Sequence, residues 1–353
     1  MIRIGLNGFG RIGRVVTRII ADSPDVSLVA VNELDSDIPN LAYLLKYDSI
    51  YGRFNKSVEV DADRHALWID GVGVPFESQV DLRAVPWEEY GVDVVVEATG
   101  VDANARAAHD LMARGVPKVV ITNAHPAVDA TIILGVNEDR YSPARHHVVS
   151  SSICDANAIT PVVFELERRW GLEHCFITTL HPWLAYQNLQ DGTVSSIASP
   201  GHSWKDYALG RSSALSLIPK DTTAARATIA ALPEMEGRVE AISFRVPTHI
   251  VSASDLCAVL RTEATAAEIN EHFAGRARRR PDVFGYEEDH LVSIDYVGTT
   301  KSLVLDAART RMLGGRFVKM VIWYDNEWGY GCRVVDVARL VAGSGSHSSA
   351  VPS

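Results

Sequence analysis

The stretch MIRIGLNGFGRIGRVVTRIIAD, residues 1–22, decides the fold. Its first residues alternate β-branched and small side chains as a strand does, NGFGRIG follows at once, and Val15, Ile19 and Ile20 then recur at helical spacing. Gly8, Gly10 and Gly13 match G-x-G-x-x-G. In that pattern the first glycine makes the tight turn, the second lets the backbone approach a pyrophosphate, and the third lets helix and strand pack closely. The helix N-terminus then faces the anion. A second strand, VSLVAVNE, closes on Glu33, and 33 − 13 = 20 puts this acid where a dinucleotide site needs an acceptor for ribose hydroxyls. A carboxylate there repels a 2′-phosphate, so NAD is expected rather than NADP. A purely structural glycine turn is the alternative, and the strand, helix and acid around it weigh against it.

Outward from this unit the pattern continues. GVDVVVEATG ends on Thr99 and Gly100, and VPKVVITNA ends on Thr122 and Asn123. Continuous apolar runs of this kind suit parallel strands covered on both faces, and their alternation with helical stretches predicts a Rossmann-type doubly wound sheet. Ligands of such sheets lie at the carboxyl ends of the strands, so these four residues are candidates to line the cofactor cleft. After residue 153 the texture shifts to longer strands with fewer helices, which predicts a second, α+β domain with a mostly antiparallel sheet over residues 154–326. The helix CRVVDVARLVAG, within about 327–343, is expected to complete the first domain (1–153), and 344–353 to be a disordered tail.

The whole chain has 353 residues, 47% of them hydrophobic, and a net charge of −10, so it is expected to fold around a large core and to bind no nucleic acid or membrane surface. Four cysteines stand far apart without metal-ligand spacing. No signal sequence or long apolar span is evident, so a reducing cytoplasm and no metal are expected.

One cysteine stands out. In SSICDANAITP (151–161), Cys154 precedes what reads as an amphipathic helix, and a helix N-terminus or a nearby imidazole lowers a thiol pKa. His181 ends the strand-like CFITTL and could return to the same cleft as a base. Spacing alone leaves open whether Cys154 is a nucleophile or an inert core residue.

The strings IRIGLNGFGRIGR, LLKYDSIYGRF, VVVEATGV, ILGVNED, SSICDAN, ITTLH, SFRVPT and WYDNEWGY fall in the order found in phosphorylating glyceraldehyde-3-phosphate dehydrogenases and the related erythrose-4-phosphate dehydrogenases. The chain resembles that family from residue 1 to about 342. The resemblance implies an NAD-dependent aldehyde dehydrogenase, a homotetramer, in which Cys154 is the nucleophile and His181 its base. It places Asn326 against the nicotinamide carboxamide with Tyr330 nearby, Arg11 and Ile12 along the pyrophosphate, and Glu33 on the adenosine ribose. Thr99 and Gly100 then border the cleft. Arg245, Thr222 and Arg211 match anion-binding positions.

Departures from the family pattern are concentrated around the cysteine. Where the family has Ser-Cys-Thr-Thr-Asn, this chain has Ile153, Cys154, Asp155, Ala156 and Asn157. The lost hydroxyls serve the family's inorganic phosphate, and Asp155 adds a negative charge, unless it caps its helix and points away. After His181 the family's two threonines are replaced by Leu184 and Tyr186. These changes predict an altered substrate pocket, with Tyr186 and Asp155 in it, and release of the thioester by water. An ordinary glyceraldehyde-3-phosphate or erythrose-4-phosphate dehydrogenase, and a non-catalytic NAD-binding paralogue, are the alternatives.

Overall fold

The computed structural model describes residues 1–193 and 206–343. The tail expected to be disordered, 344–353, lies outside the described residues, as does part of the Ser- and Gly-rich stretch 189–225. The chain divides into two units, Met1–Ile132 with Asp139–Ser151 and Gly331–Ser353, and Ile133–Glu138 with Ser152–Tyr330.

The first unit is built on a nine-stranded sheet. Its centre is Ile2–Asn7, with Val26–Asn32 in parallel on one side and Val94–Glu97 in parallel on the other. Val119–Ile121 and Val148–Ser150 continue the parallel set beyond Val94–Glu97. The opposite edge turns antiparallel through Val72–Glu77, Ala66–Ile69 and Val58–Asp61. Val94, Val95 and Val96 are wholly buried, as a strand covered on both faces requires. Because the chain leaves the central strand to one side and later returns on the other, a crevice opens at the carboxyl ends of Ile2–Asn7 and Val94–Glu97. The last helix, Trp328–Val341, belongs to this unit from Gly331 onward. A side chain at Gly331 would come within 2.7 Å of Val15, so only glycine lets this helix lie so close to the first.

The second unit carries a seven-stranded sheet. Leu172–Pro182 sits in the middle, parallel to Val239–Val246 and antiparallel to Ser252–Leu260. Phe317–Tyr324 and Leu303–Leu313 extend it in antiparallel fashion, so the sheet is mostly antiparallel. The helix Cys154–Trp170 lies on one face of the sheet. It was expected to be amphipathic. Instead it is buried on nearly all sides, with its Glu165 held by His272 at 2.8 Å and Arg276 at 3.1 Å. The short excursion Ile133–Glu138, whose place in the second unit no periodicity predicts, joins this unit through the Glu138 to Arg280 ion pair at 2.7 Å. Among the described residues no helix is long and apolar enough to cross a membrane.

Candidate active site

In the first unit the glycine turn has the form that a phosphate cradle needs. Gly8 has φ +98°, and a side chain on it would press on Ala98 and Thr99 at 2.9 Å. Gly13 lies so close to the Gly8 carbonyl that a Cβ would come within 2.1 Å of its oxygen. Gly10 differs: a Cβ there would meet nothing within 4 Å. It is the N-cap of the helix Arg11–Ala21 and supplies no side-chain cap, so the space in front of the first-turn N–H groups is left for an anion. A pyrophosphate fits that cradle. Glu33 stands beside it and accepts from the backbone N–H of Phe9 at 2.6 Å. The Arg11 side chain turns to Asp48 at 2.6 Å, so any contact from Arg11 and Ile12 to the pyrophosphate is through backbone.

Across the crevice the two threonine hydroxyls serve the protein itself. Thr99 donates to the Glu97 carboxylate, and Thr122 donates to the Glu97 carbonyl at 3.0 Å. Glu97 also accepts from Asn7, whose own Oδ1 accepts from Asn32 at 2.7 Å, so a chain of side chains ties three strand ends together. Burial pushes the Glu97 carboxyl up to about 7, against the Thr99 and Asn7 hydrogen bonds that pull it down. Gly100, at φ +69°, has open space where a side chain would stand, and Asn123 has a buried Oδ1 without a partner among the described residues.

The second unit assembles the reactive group. Cys154 is the first residue of its 17-residue helix, and Ile153 at the N-cap has no oxygen to offer the first turn. The positive end of the helix is therefore directed at the thiol. Ser152, just before, is held at φ +62°, and the Tyr330 hydroxyl donates to its carbonyl at 2.9 Å. The Cys154 Sγ lies 3.6 Å from His181 Nε2 and 3.5 Å from Asp155 Oδ1, with 3.9 Å between the latter two. Among the described residues this is the one cluster of three such side chains whose donor atoms come within 4.8 Å of one another. Asp155 does not point away as a cap; its carboxylate faces the thiol and accepts from the buried Tyr324 hydroxyl at 2.8 Å.

Protonation follows from these contacts. His181 Nδ1 is 2.8 Å from the Pro182 carbonyl, which can only accept, so that nitrogen carries the proton and Nε2 presents its lone pair to the thiol. Burial pulls the imidazole down to about 4, the Arg245 charge adds to this, and Asp155 opposes it. Burial pushes the Cys154 thiol up, Asp155 pushes further, and Arg245 pulls the other way. Burial and the neighbouring charge thus favour the thiol form of Cys154, and burial favours the neutral imidazole. The helix end and the imidazole favour the thiolate, and burial and the neighbouring carboxylate act against it.

Arg245 is in register with His181 across adjacent strands and is 8% exposed. Its guanidinium makes no hydrogen bond or ion pair to any described residue, and its Nε is buried without a partner. A buried cation without its own carboxylate suits an anionic ligand. Lys220, which the sequence reading passed over, stands one inward-facing position along on the edge strand Ile218–Asp221. Burial lowers its pKa, Arg245 lowers it further, and Asp155 raises it. Thr222 accepts from Ala224 N–H at 3.1 Å, two residues ahead of the helix Ala224–Ala231, and Tyr186 is half-buried. Arg211 does not join the group: it pairs with Asp191 at 2.8 Å and is 67% exposed. Trp183 packs edge-on against His249. Asn326 is 4% exposed with a buried Oδ1 that has no partner among the described residues, as an acceptor waiting for an amide N–H would be.

Tyr324 and Lys220 are the two neighbours that sequence reading missed. Both occupy inward-facing strand positions whose polar character was the available signal.

Comparison with known proteins agrees with this layout. Residues 2–105 match the NAD-binding domain of glyceraldehyde 3-phosphate dehydrogenase, and residues 153–326 match its C-terminal domain. The chain is 39% identical over 345 residues to glyceraldehyde-3-phosphate dehydrogenase of Geobacillus stearothermophilus, covering 98% of this chain and 99% of the relative. It is 40% identical over 352 residues to glyceraldehyde-3-phosphate dehydrogenase 2 of Bacillus subtilis, covering 99% of each. With its glycine cradle, its acid at the end of the second strand and its cysteine–histidine pair, the chain belongs to the glyceraldehyde-3-phosphate dehydrogenase family and is an NAD-dependent oxidoreductase.

Proposed function

We propose that this protein oxidises an aldehyde bearing an anionic group, through a hemithioacetal and then a thioester on Cys154, and that water releases the acid. The observation that carries the reading is the Cys154 Sγ at 3.6 Å from His181 Nε2, with a buried Arg245 in register beside it that has no hydrogen-bond or ion-pair partner among the described residues. Cys154 adds to the carbonyl carbon while His181 takes the thiol proton and returns it to the new hydroxyl. His181 then removes the hydroxyl proton as hydride leaves, and bound NAD supplies the hydride acceptor. Gly8, Gly10 and Gly13 hold the pyrophosphate, Glu33 the ribose and Asn326 the carboxamide. Arg245 and Lys220 hold the anionic group of the substrate. The relatives' names point to glyceraldehyde 3-phosphate, and Arg245 and Thr222 are the positions that favour it. Leu184 and Tyr186, where the family has threonines, argue for a substrate of another shape.

Loss of hydroxyls at 153, 155 and 156, together with the inward-facing Asp155 charge, supports hydrolysis over phosphorolysis. We assign the activity to the cytoplasm on the widely spaced free cysteines and to a homotetramer on the resemblance, the assembly supported by Phe176, Leu180 and Ile242, which are exposed on the outer face of the second sheet. The test is NADH formation from glyceraldehyde 3-phosphate, erythrose 4-phosphate and a panel of short anionic aldehydes, with and without inorganic phosphate. A carboxylic acid product at a phosphate-independent rate is expected. Acceleration by phosphate with an acyl phosphate product, and a preference for glyceraldehyde 3-phosphate, would refute the reading in favour of an ordinary family member.

A further inference from the structure

The hydrolytic reading leaves a proton unaccounted for. A phosphate dianion attacks a thioester without losing a proton, whereas water must give one up. When the thioester forms, His181 has just taken the hydroxyl proton, and this imidazole is only 4% exposed. An imidazolium cannot accept a second proton. The site needs another base within reach of the sulfur-bound carbon.

Resting on the proposed function, we infer that Asp155 is a catalytic residue of the second half-reaction, the general base that deprotonates the attacking water, with Tyr324 as its positioning residue. Asp155 Oδ1 lies 3.5 Å from Sγ and 3.9 Å from His181 Nε2, so the carboxylate stands beside both the sulfur that carries the acyl group and the imidazole. Tyr324 donates to that same Oδ1 at 2.8 Å and is itself approached by Ser254 Oγ at 3.4 Å. This fixes the carboxylate and leaves its second oxygen for water. Tyr324 comes from the strand next to Ser252–Leu260, in register with Ser252, so the sheet rather than the helix sets the carboxylate's angle. The imidazolium formed in the first half-reaction is also stabilised by the carboxylate facing it.

The step balances without a co-reactant. A water O–H bond breaks and its proton passes to Asp155. The oxygen bonds to the acyl carbon, the C–S bond breaks, and the departing thiolate takes a proton from His181. The products are the carboxylic acid and the Cys154 thiol, with Asp155 returning its proton to solvent.

p-Nitrophenyl acetate tests this without knowledge of the aldehyde, because it acylates a nucleophilic cysteine directly. The full chain with NAD is expected to give a burst of about one nitrophenolate per chain, absent in Cys154→Ser, followed by steady hydrolysis. In Asp155→Asn the burst is retained and the steady rate falls roughly a hundredfold, with acetyl-Cys154 persisting in the mass spectrum. In Tyr324→Phe the steady rate falls about tenfold while the burst rate is unchanged, a split that a merely structural role would not produce. An intact burst with wild-type steady hydrolysis in folded Asp155→Asn overturns the inference and leaves the nucleophile standing. If that variant does not fold, an unchanged steady rate in Tyr324→Phe overturns it instead. A folded wild type that releases nitrophenolate no faster than Cys154→Ser and forms no acetyl-Cys154 overturns the nucleophile, and the inference with it.

Discussion

Replacing Asp155 by Asn should make Cys154 more reactive toward alkylation even as it slows deacylation. The substitution removes one negative charge 3.5 Å from Sγ while keeping a side chain of the same shape and an oxygen for the Tyr324 hydroxyl. Two unit charges at that separation repel by about 1 kcal/mol in a water-like medium and by roughly 5 kcal/mol at the effective dielectric of a protein surface. Even the smaller figure multiplies the thiolate fraction at neutral pH about fivefold, since the thiol sits well above its ordinary value and ionises in proportion. The assay is the pseudo-first-order rate of iodoacetamide labelling of Cys154 at pH 7, followed by mass spectrometry. A Cys154→Ser control corrects for Cys175, Cys257 and Cys332. His181→Ala should slow the same reaction. If Asp155→Asn labels at the wild-type rate or slower with an unchanged melting temperature, the repulsion assigned to this carboxylate is wrong.

Two glycine substitutions should have opposite signatures. Gly13→Ala forces a methyl onto the Gly8 carbonyl and should lower the melting temperature by several degrees, whereas Gly10→Ala meets open space, should leave melting unchanged, and should weaken NAD binding at least tenfold by titration. Glu97, whose carboxyl is held up to about 7 in the folded chain against 4.5 in its ordinary state, stabilises the fold fully below pH 4.5 and loses that contribution as pH rises through 7. Denaturant unfolding should therefore show up to about 3 kcal/mol of pH-dependent loss across that window that is missing from Glu97→Gln, and parallel curves would refute the assignment. Lys220→Met should raise KM for anionic aldehydes about tenfold while leaving kcat and the KM of a neutral aldehyde within twofold; an equal change for both would remove Lys220 from substrate recognition.

What the sequence revealed is what is local in it. The glycine turn, Glu33 and the position of Cys154 at the start of a helix depend on neighbours a few residues apart, so periodicity and turn chemistry expose them. Arg245 beside His181 depends on the register of two parallel strands 64 positions apart (245 − 181), which no short-range pattern encodes. Resemblance supplied that pair. Tyr324 and Lys220 went unassigned because a lone tyrosine or lysine in a strand reads as an ordinary residue until the face it occupies is known. The direction of Asp155 was undecidable for a related reason: its carboxylate is drawn inward by a hydroxyl 169 positions away. Arg211 shows the converse, since matching a basic position did not ensure that its side chain would turn toward the site.

The hydrogen bond from Tyr330 to the Ser152 carbonyl has a consequence for how the two substrates sense each other. Tyr330 follows Asn326 by four residues, and Ser152 precedes Cys154 by two, so whatever shifts the amide at 326 tugs on the peptide that aims the sulfur. With Asn326 on the carboxamide, as proposed, dinucleotide occupancy and thiol nucleophilicity become linked quantities. By thermodynamic reciprocity, a covalent cap on the sulfur must alter the grip on the pyridine ring by the same factor as the ring alters the cap.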